Sequence, residues 1–126
     1  MKLRQLSELE QEVMNIVWQL DECSIRTVLE KVNKNKQLAY TTIATILQRL
    51  HEKGLIIKRN EGIAFLYSPK LSKASYSKNI AQLFITKFFS SFGDIAIASF
   101  AESIDTLPRK KKEYLLELLE NYDKAK

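Results

Sequence analysis

The chain is poor in the residues that support redox, metal and acid–base chemistry. Its 126 residues include one cysteine, Cys23, and one histidine, His51. A lone cysteine cannot form an internal disulfide, and neither residue belongs to a metal-ligand spacing. The three glycines form no phosphate-binding loop. We therefore expect that the protein is not an enzyme and that it binds no metal ion or cofactor. Cys23 is expected to be a small buried residue, and His51 is expected to lie on the surface or near a phosphate.

Long apolar segments are also missing. No apolar run approaches the roughly 18 residues that span a bilayer. The first eight residues pass quickly into acidic ones and lack the apolar stretch of a signal peptide. Together with the lone cysteine, these absences predict a cytoplasmic protein without membrane insertion. A composition of 45% hydrophobic and 28% charged residues predicts a chain that folds.

The formal net charge of +5 suits an acidic partner such as nucleic acid. The excess is spread along the chain, with +3 in residues 1–70 and +2 in residues 71–126. Net charge alone therefore adds little, and the function must be inferred from where individual charges lie.

Helix signals dominate the first 54 residues. Ser7 and Glu10 form a capping-box pattern, and the apolar spacing behind them predicts a helix. Ser24 can cap a second helix, and a third begins near Tyr40 and ends at Gly54, which is placed as a C′ residue. The first helix is expected to bury Leu9, Val13, Ile16, Val17 and Leu20.

Residues 55–68 change to a period of two, with large side chains at alternate positions. This pattern predicts a β-hairpin with a short turn around Glu61-Gly62. Three helices followed by a hairpin is the order of a winged helix-turn-helix. We therefore predict a mainly α protein, with a winged-helix domain in residues 1–70 and a small all-α domain in residues 71–126.

The second part should contain a long helix over residues 72–92, a break at Gly93, a short helix capped by Asp94, and a last helix with Pro108 in its first turn. It carries five of the six phenylalanines. A unit this small buries too little surface to be stable alone, so we expect a homodimer; the alternative is packing against residues 1–70. The expected dimer residues are Ile80, Leu83, Phe84, Phe88, Leu115, Leu118, Leu119 and Tyr122.

The polar face of the third helix carries the kinds of side chain found in DNA-recognition helices. At about 100° per residue, Ile43, Ile46, Leu47 and Leu50 form one apolar stripe. A threonine methyl group can contact the thymine methyl group, glutamine can pair with adenine, and arginine can bind guanine or a phosphate. Basic residues in the wing suit the flanking backbone or minor groove of double-stranded DNA. The predicted contacts are Thr41, Thr42, Thr45, Gln48 and Arg49 in the helix, with Lys58 and Arg59 in the wing.

Several of these motifs together resemble one family over nearly the whole chain. They lie in residues 9–18, 39–50, 53–55 and 65–69, and in the phenylalanine-rich helix interrupted by Gly93. The chain is similar to the penicillinase repressors of the BlaI/MecI type, which are related to the CopY copper repressors. The resemblance implies a winged-helix domain, a helical dimerisation domain, and a homodimer that represses transcription from a palindromic operator.

The resemblance also implies residue roles. The five helix positions named above match the recognition-helix motif of the family. In β-lactam-responsive members, a protease linked to a membrane sensor cuts the C-terminal domain, and the matching bond here is Ser99-Phe100. The alternatives are a winged-helix module that binds protein, or a dimeric ligand-sensing regulator that is not controlled by proteolysis. A C-terminal copper-binding cysteine cluster is excluded, since no cysteine follows Cys23.

Overall fold

The computed structural model describes residues 6–124, which form helices and one β-hairpin. A short 3-10 helix, Ile104–Thr106, precedes the last α-helix. The elements are α1 (Glu8–Leu20), α2 (Ile25–Val32), α3 (Tyr40–Glu52), β1 (Ile56–Glu61), β2 (Ala64–Pro69), α4 (Lys73–Phe92), α5 (Asp94–Ser103) and α6 (Arg109–Lys124).

The helix ends of the N-terminal part follow the predicted signals. The Glu10 N–H donates to the Ser7 hydroxyl at 3.2 Å, and the Ser7 N–H donates to the Glu10 carboxylate at 2.9 Å. Ser24 caps α2 through the same reciprocal arrangement with Thr27. Gly54 follows the C-cap of α3 with a φ of 79°, a conformation that favours glycine. Local hydrogen-bonding chemistry therefore sets these three ends.

Three details of the predicted helices were wrong. Gly93, not Asp94, is the N-cap of α5, and Asp94 is its first residue. Pro108 lies immediately before α6, where its carbonyl accepts from the Lys112 N–H at 2.9 Å. In α1, Met14 is fully buried beside Val13 and Val17. The buried stripe therefore includes Met14, which the sequence did not predict. The other residues expected in the core, Leu9, Ile16 and Leu20, are only partly buried and lie at the edges of the stripe.

The hairpin packs against α1 and α3 and is extended by one bridge to the turn before α2. Its register runs from Ile56 opposite Pro69 to Glu61 opposite Ala64. The Cys23 N–H donates to the Tyr67 carbonyl at 2.9 Å, and the Tyr67 N–H donates to the Cys23 carbonyl at 2.7 Å. The wing is therefore hydrogen-bonded at its base to the α1–α2 connection. This is the winged helix-turn-helix arrangement, within a mainly α chain.

The start of α4 belongs to the same core as the winged helix. The Trp18 indole N–H donates to the Leu71 carbonyl at 2.9 Å, and its ring lies 5.6 Å from that of Tyr76. Tyr76 is buried, and Ile80, which was predicted as a dimer residue, packs partly buried against this core. The described residues accordingly divide into two compact units between Gln82 and Leu83. The boundary after residue 70 stays a prediction about independently folding domains.

The second unit leaves much apolar surface uncovered. Phe84, Phe88 and Phe92 stack along α4, with neighbouring ring centroids 5.7 and 5.4 Å apart. Among its described side chains only Ala96 is fully buried. Its large exposed apolar residues are Leu83, Phe84, Phe92, Ile95, Ile97, Phe100, Leu107, Tyr114, Leu116, Leu118, Leu119 and Tyr122. These helices form a folded unit without a closed core of their own.

Candidate nucleic-acid interface

The two faces of α3 separate as the sequence predicts. Its apolar stripe, Ile43, Ile46, Leu47 and Leu50, is buried in the core. The residues predicted to contact DNA lie on the other side: Thr41, Thr45, Gln48 and Arg49 are exposed, and Thr42 is half-buried. The core therefore holds α3 firmly by one face and presents the polar face outward.

The beginning of α3 is positioned by a side chain of the preceding loop. Asn33 accepts from the Leu38 N–H at 2.9 Å and donates to the Leu38 carbonyl at 3.3 Å. The N-cap of α3, Ala39, makes no side-chain cap hydrogen bond. The Thr45 hydroxyl donates back to the Thr41 carbonyl at 2.9 Å. The only donor of Thr45 is thus used within the helix, and its oxygen lone pairs and methyl group are what it offers a base.

The end of α3 is tied to the start of α1 by an ion pair. The Lys53 ammonium lies 2.8 and 2.9 Å from the two Glu10 carboxylate oxygens. Glu10 is 6% exposed and also accepts from the Ser7 N–H. The Lys53 hydrogen bond, helped by the Ser7 N–H and opposed by burial, lowers the pKa of Glu10 below its ordinary value. The ionised pair therefore fixes the recognition helix at the end opposite Asn33.

The two basic residues of the wing differ in surroundings. Since neighbouring strand residues point to opposite faces, Lys58 and Arg59 diverge. The Lys58 ammonium lies 3.5 Å from Gln48 Oε1 on α3 and 4.1 Å from the centroid of the Phe65 ring. Arg59 instead lies between two carboxylates, 3.1 Å from Glu22 and 3.4 Å from Glu61. Of the two, Lys58 shares the polar face of α3.

A glutamate completes the polar face. The Gln48 amide donates from Nε2 to Glu52 Oε1 at 3.3 Å, one helical turn further along α3. Lys58, Gln48 and Glu52 thus form a chain of hydrogen bonds from the wing to the last turn of α3. We call these three residues the Lys–Gln–Glu chain.

Comparison with known proteins supports the resemblance seen in the sequence. The model of the penicillinase repressor family matches residues 6–121. The chain belongs to the penicillinase repressor family. Within this family, a penicillinase repressor of Bacillus licheniformis is 27% identical over 125 residues, covering 99% of this chain and 97% of the relative.

Two solved structures of BlaI share the winged-helix fold over 60% of this chain. A solution structure of the DNA-binding domain of the repressor BlaI is 32% identical, with a TM-score of 0.53, and covers 60% of this chain and 92% of that one. The monomeric form of Bacillus licheniformis BlaI in complex with the blaP half-operator is also 32% identical, with a TM-score of 0.50 and the same coverage. The penicillinase repressor family consists of DNA-binding transcriptional repressors rather than enzymes.

The structure also describes the surroundings of Cys23 and His51. Burial raises the pKa of the Cys23 thiol to about 11, which leaves it protonated and unreactive near neutral pH. His51 is exposed in the last turn of α3. Across residues 6–124 no group of three or more histidine, cysteine or acidic side chains is placed to hold a metal ion. No helix within the described part is long and apolar enough to cross a membrane.

The sequence analysis did not identify the contacts that position the interface. Asn33, Lys53 and Glu52 contact partners 5, 43 and 4 residues away. The Gln48–Glu52 spacing of one helical turn is a signal that the sequence does contain. The pairing of Glu10 with Lys53 depends on how α1 and α3 pack, and no local pattern predicts it.

Proposed function

We propose that this chain is a cytoplasmic, sequence-specific DNA-binding repressor that acts as a homodimer on a palindromic operator. The observation that carries the proposal is the outward face of α3, which presents threonine, glutamine and arginine side chains beside Lys58. These groups match the donors, acceptors and methyl groups of a major groove. The family relationship supports the same reading, because the related BlaI was solved with a half-operator.

The proposed binding mode places α3 in the major groove and the wing over the adjacent backbone. Thr41, Thr45, Gln48 and Arg49 face base edges, while Thr42, at the edge of the face, lies nearer a phosphate. Lys58 contacts the backbone close to the groove. Arg59 reaches a phosphate only by leaving Glu22 and Glu61, so it contributes less of the electrostatic affinity.

Dimerisation is supported by the uncovered surface of the second unit. Leu83, Leu118 and Leu119 are each about half exposed, as 50%, 46% and 52% of their surface contacts solvent. Phe84 and Tyr122 are exposed further, whereas Phe88 and Leu115 are partly buried. Large exposed apolar patches in soluble proteins mark interaction surfaces. A second copy of the protein that packs against this apolar surface would explain why the second unit is so rich in apolar residues. It would also supply the second recognition helix that a palindromic operator needs.

Relief of repression by proteolysis at Ser99-Phe100 is a further part of the proposal. Both residues are exposed but lie inside α5, where the Ser99 carbonyl accepts from the Ser103 hydroxyl at 2.8 Å. Phe100 packs edge-on against Phe89 at 6.4 Å. A protease needs an extended substrate, so this helix must open locally first, and the cut would separate α6 from the apolar residues of α4.

A sequencing experiment tests the cut by itself. In host cells exposed to a β-lactam, the proposal expects a C-terminal fragment whose first residue is Phe100. An intact chain during derepression would remove proteolysis from the proposal and leave DNA binding in place.

A salt titration tests the central proposal. The full-length protein should bind random duplex DNA with an affinity that falls linearly on logarithmic axes as salt rises, since basic side chains displace counterions from phosphates. The double variant Arg49→Ala/Lys58→Ala should lose operator binding in fluorescence anisotropy and keep its sedimentation behaviour. Selection from a random DNA pool supplies the operator.

The matched control is Lys124→Ala, which removes a charge from the far end of α6, where Lys124 is paired with Glu120. It should bind the operator as the unmodified protein does. Binding of the double variant at unchanged affinity would show that the reading surface lies elsewhere. Salt-independent or absent DNA binding by the unmodified protein would favour a protein-binding module.

A further inference from the structure

The Lys–Gln–Glu chain bears on which base Gln48 reads, a question that rests on the proposed function. A glutamine amide has a carbonyl end and an NH₂ end of nearly equal shape, so a free Gln side chain can present either to a base. In this structure the carbonyl end of Gln48 has a positively charged neighbour and the NH₂ end has a negatively charged one. The Lys58 ammonium lies 3.5 Å from Oε1, and a Glu52 carboxylate oxygen lies 3.3 Å from Nε2.

The chemistry of the two neighbours fixes the orientation of the amide. An ammonium has donors and no acceptor, so only the carbonyl end of Gln48 can face Lys58. An ionised carboxylate has acceptors and no donor, so only the NH₂ end can face Glu52. The reverse orientation places two donors together and two acceptors together. Phe65 holds the Lys58 ammonium over its ring at 4.1 Å, which keeps the donor at the wing side.

The hydrogen-bonding groups left over on Gln48 match one base. Nε2 has two donors and Oε1 has two lone pairs, and the Lys–Gln–Glu chain uses one of each. One N–H and one lone pair remain. Adenine presents one acceptor, N7, and one donor, the N6 amino group, at its major-groove edge. Guanine presents two acceptors there and no donor, so it leaves the remaining Gln48 lone pair unpaired.

We propose that Glu52 and Lys58 are positioning residues that hold the Gln48 amide so that one N–H and one lone pair remain for a base, which selects adenine at one position of each half-site. Glu52 acts through Gln48 and needs no contact with the DNA. Its negative charge at the polar face opposes phosphate binding in general, so its contribution is to base discrimination rather than to affinity.

The test measures base preference at that position with the full-length protein. Half-site duplexes carrying each of the four base pairs are compared by competition, at one salt concentration and then across a salt series. Gln48→Ala identifies the position, because it should lose a preference of roughly 5- to 150-fold there. Glu52→Ala should reduce the adenine preference at that position to about threefold or less and leave the preferences at other positions unchanged. Its affinity for random DNA should stay the same or rise.

Two variants separate positioning from charge. Glu61→Ala removes a carboxylate from the wing, where it pairs with Arg59, and should leave the preference intact. Glu52→Asp keeps the charge but shortens the reach to Gln48, and should lose the preference as Glu52→Ala does.

An unchanged adenine preference in Glu52→Ala would overturn the inference, and so would a preference for another base at the Gln48 position. Both outcomes differ from failure of the proposed function, in which the unmodified protein shows no base preference at any position.

Discussion

Replacing Lys53 by methionine should make the protein less stable and change how its stability depends on pH. The ammonium lies 2.8 and 2.9 Å from the carboxylate oxygens of Glu10, whose surface is only 6% exposed. Methionine keeps most of the apolar stem and removes these charge-assisted bonds. Glu10 then retains the Ser7 N–H at 2.9 Å as its hydrogen-bond partner at the α1 N-terminus.

The expected loss at pH 7 is about 1–3 kcal/mol in the free energy of unfolding, the cost of leaving part of a buried charged group unpaired. For a unit of this size, that loss lowers Tm by roughly 4–24 °C. The double variant Glu10→Gln/Lys53→Met removes both charges. It should recover part of the loss, because no uncompensated carboxylate remains buried.

The pH dependence provides a second, independent readout. The pKa of Glu10 is lowered from 4.5 in the folded protein, mainly by Lys53. The stabilisation is therefore fully present above the unfolded value and is lost as pH falls through the folded pKa. Lys53→Met should show a shallower loss below pH 4.5, and its difference from the unmodified protein should shrink in acid.

Thermal and denaturant unfolding of the full-length protein, followed by circular dichroism from pH 3 to 7, measures both effects. Protein concentration must be held constant, because the proposed homodimer would make Tm depend on concentration. Parallel pH–stability curves for Lys53→Met and the unmodified protein would refute the reasoning, since they would show that the pair is not formed in solution.

Three further outcomes are expected from the same structure. With its pKa raised to about 11 and its side chain buried, Cys23 should react with iodoacetamide at pH 8 at least tenfold more slowly in the folded protein than in guanidinium chloride; equal rates would contradict its burial. Leu118→Glu should raise the dimer dissociation constant at least tenfold in sedimentation equilibrium, since it places a charge on uncovered apolar surface, and an unaffected dimer would place the seam elsewhere. Arg59→Ala should reduce the salt dependence of DNA binding less than Lys58→Ala, because Arg59 already faces two carboxylates; a larger effect of Arg59 would contradict that assignment.

Much of the architecture could be predicted from local patterns. The capping box at Ser7, the cap at Ser24 and the glycine after α3 are short-range hydrogen-bonding and backbone signals, and they placed three helix ends correctly. The period of α3 separated its buried and exposed faces for the same reason, since a helix has a fixed rotation per residue. The cap of α5 was assigned wrongly to Asp94, because Gly93 precedes it and takes the positive φ of 61° that ends α4.

The sequence by itself determined the family, the order of elements and the polar face of α3, because each depends on residues that are near one another in the chain. Tertiary structure alone decided which distant groups meet. It paired Lys53 with Glu10, placed Arg59 between two carboxylates, and joined Lys58 to Gln48. These contacts depend on how the helices and the wing pack. They decide which of the predicted DNA-binding residues are paired with other side chains, and how the Gln48 amide is oriented between Lys58 and Glu52.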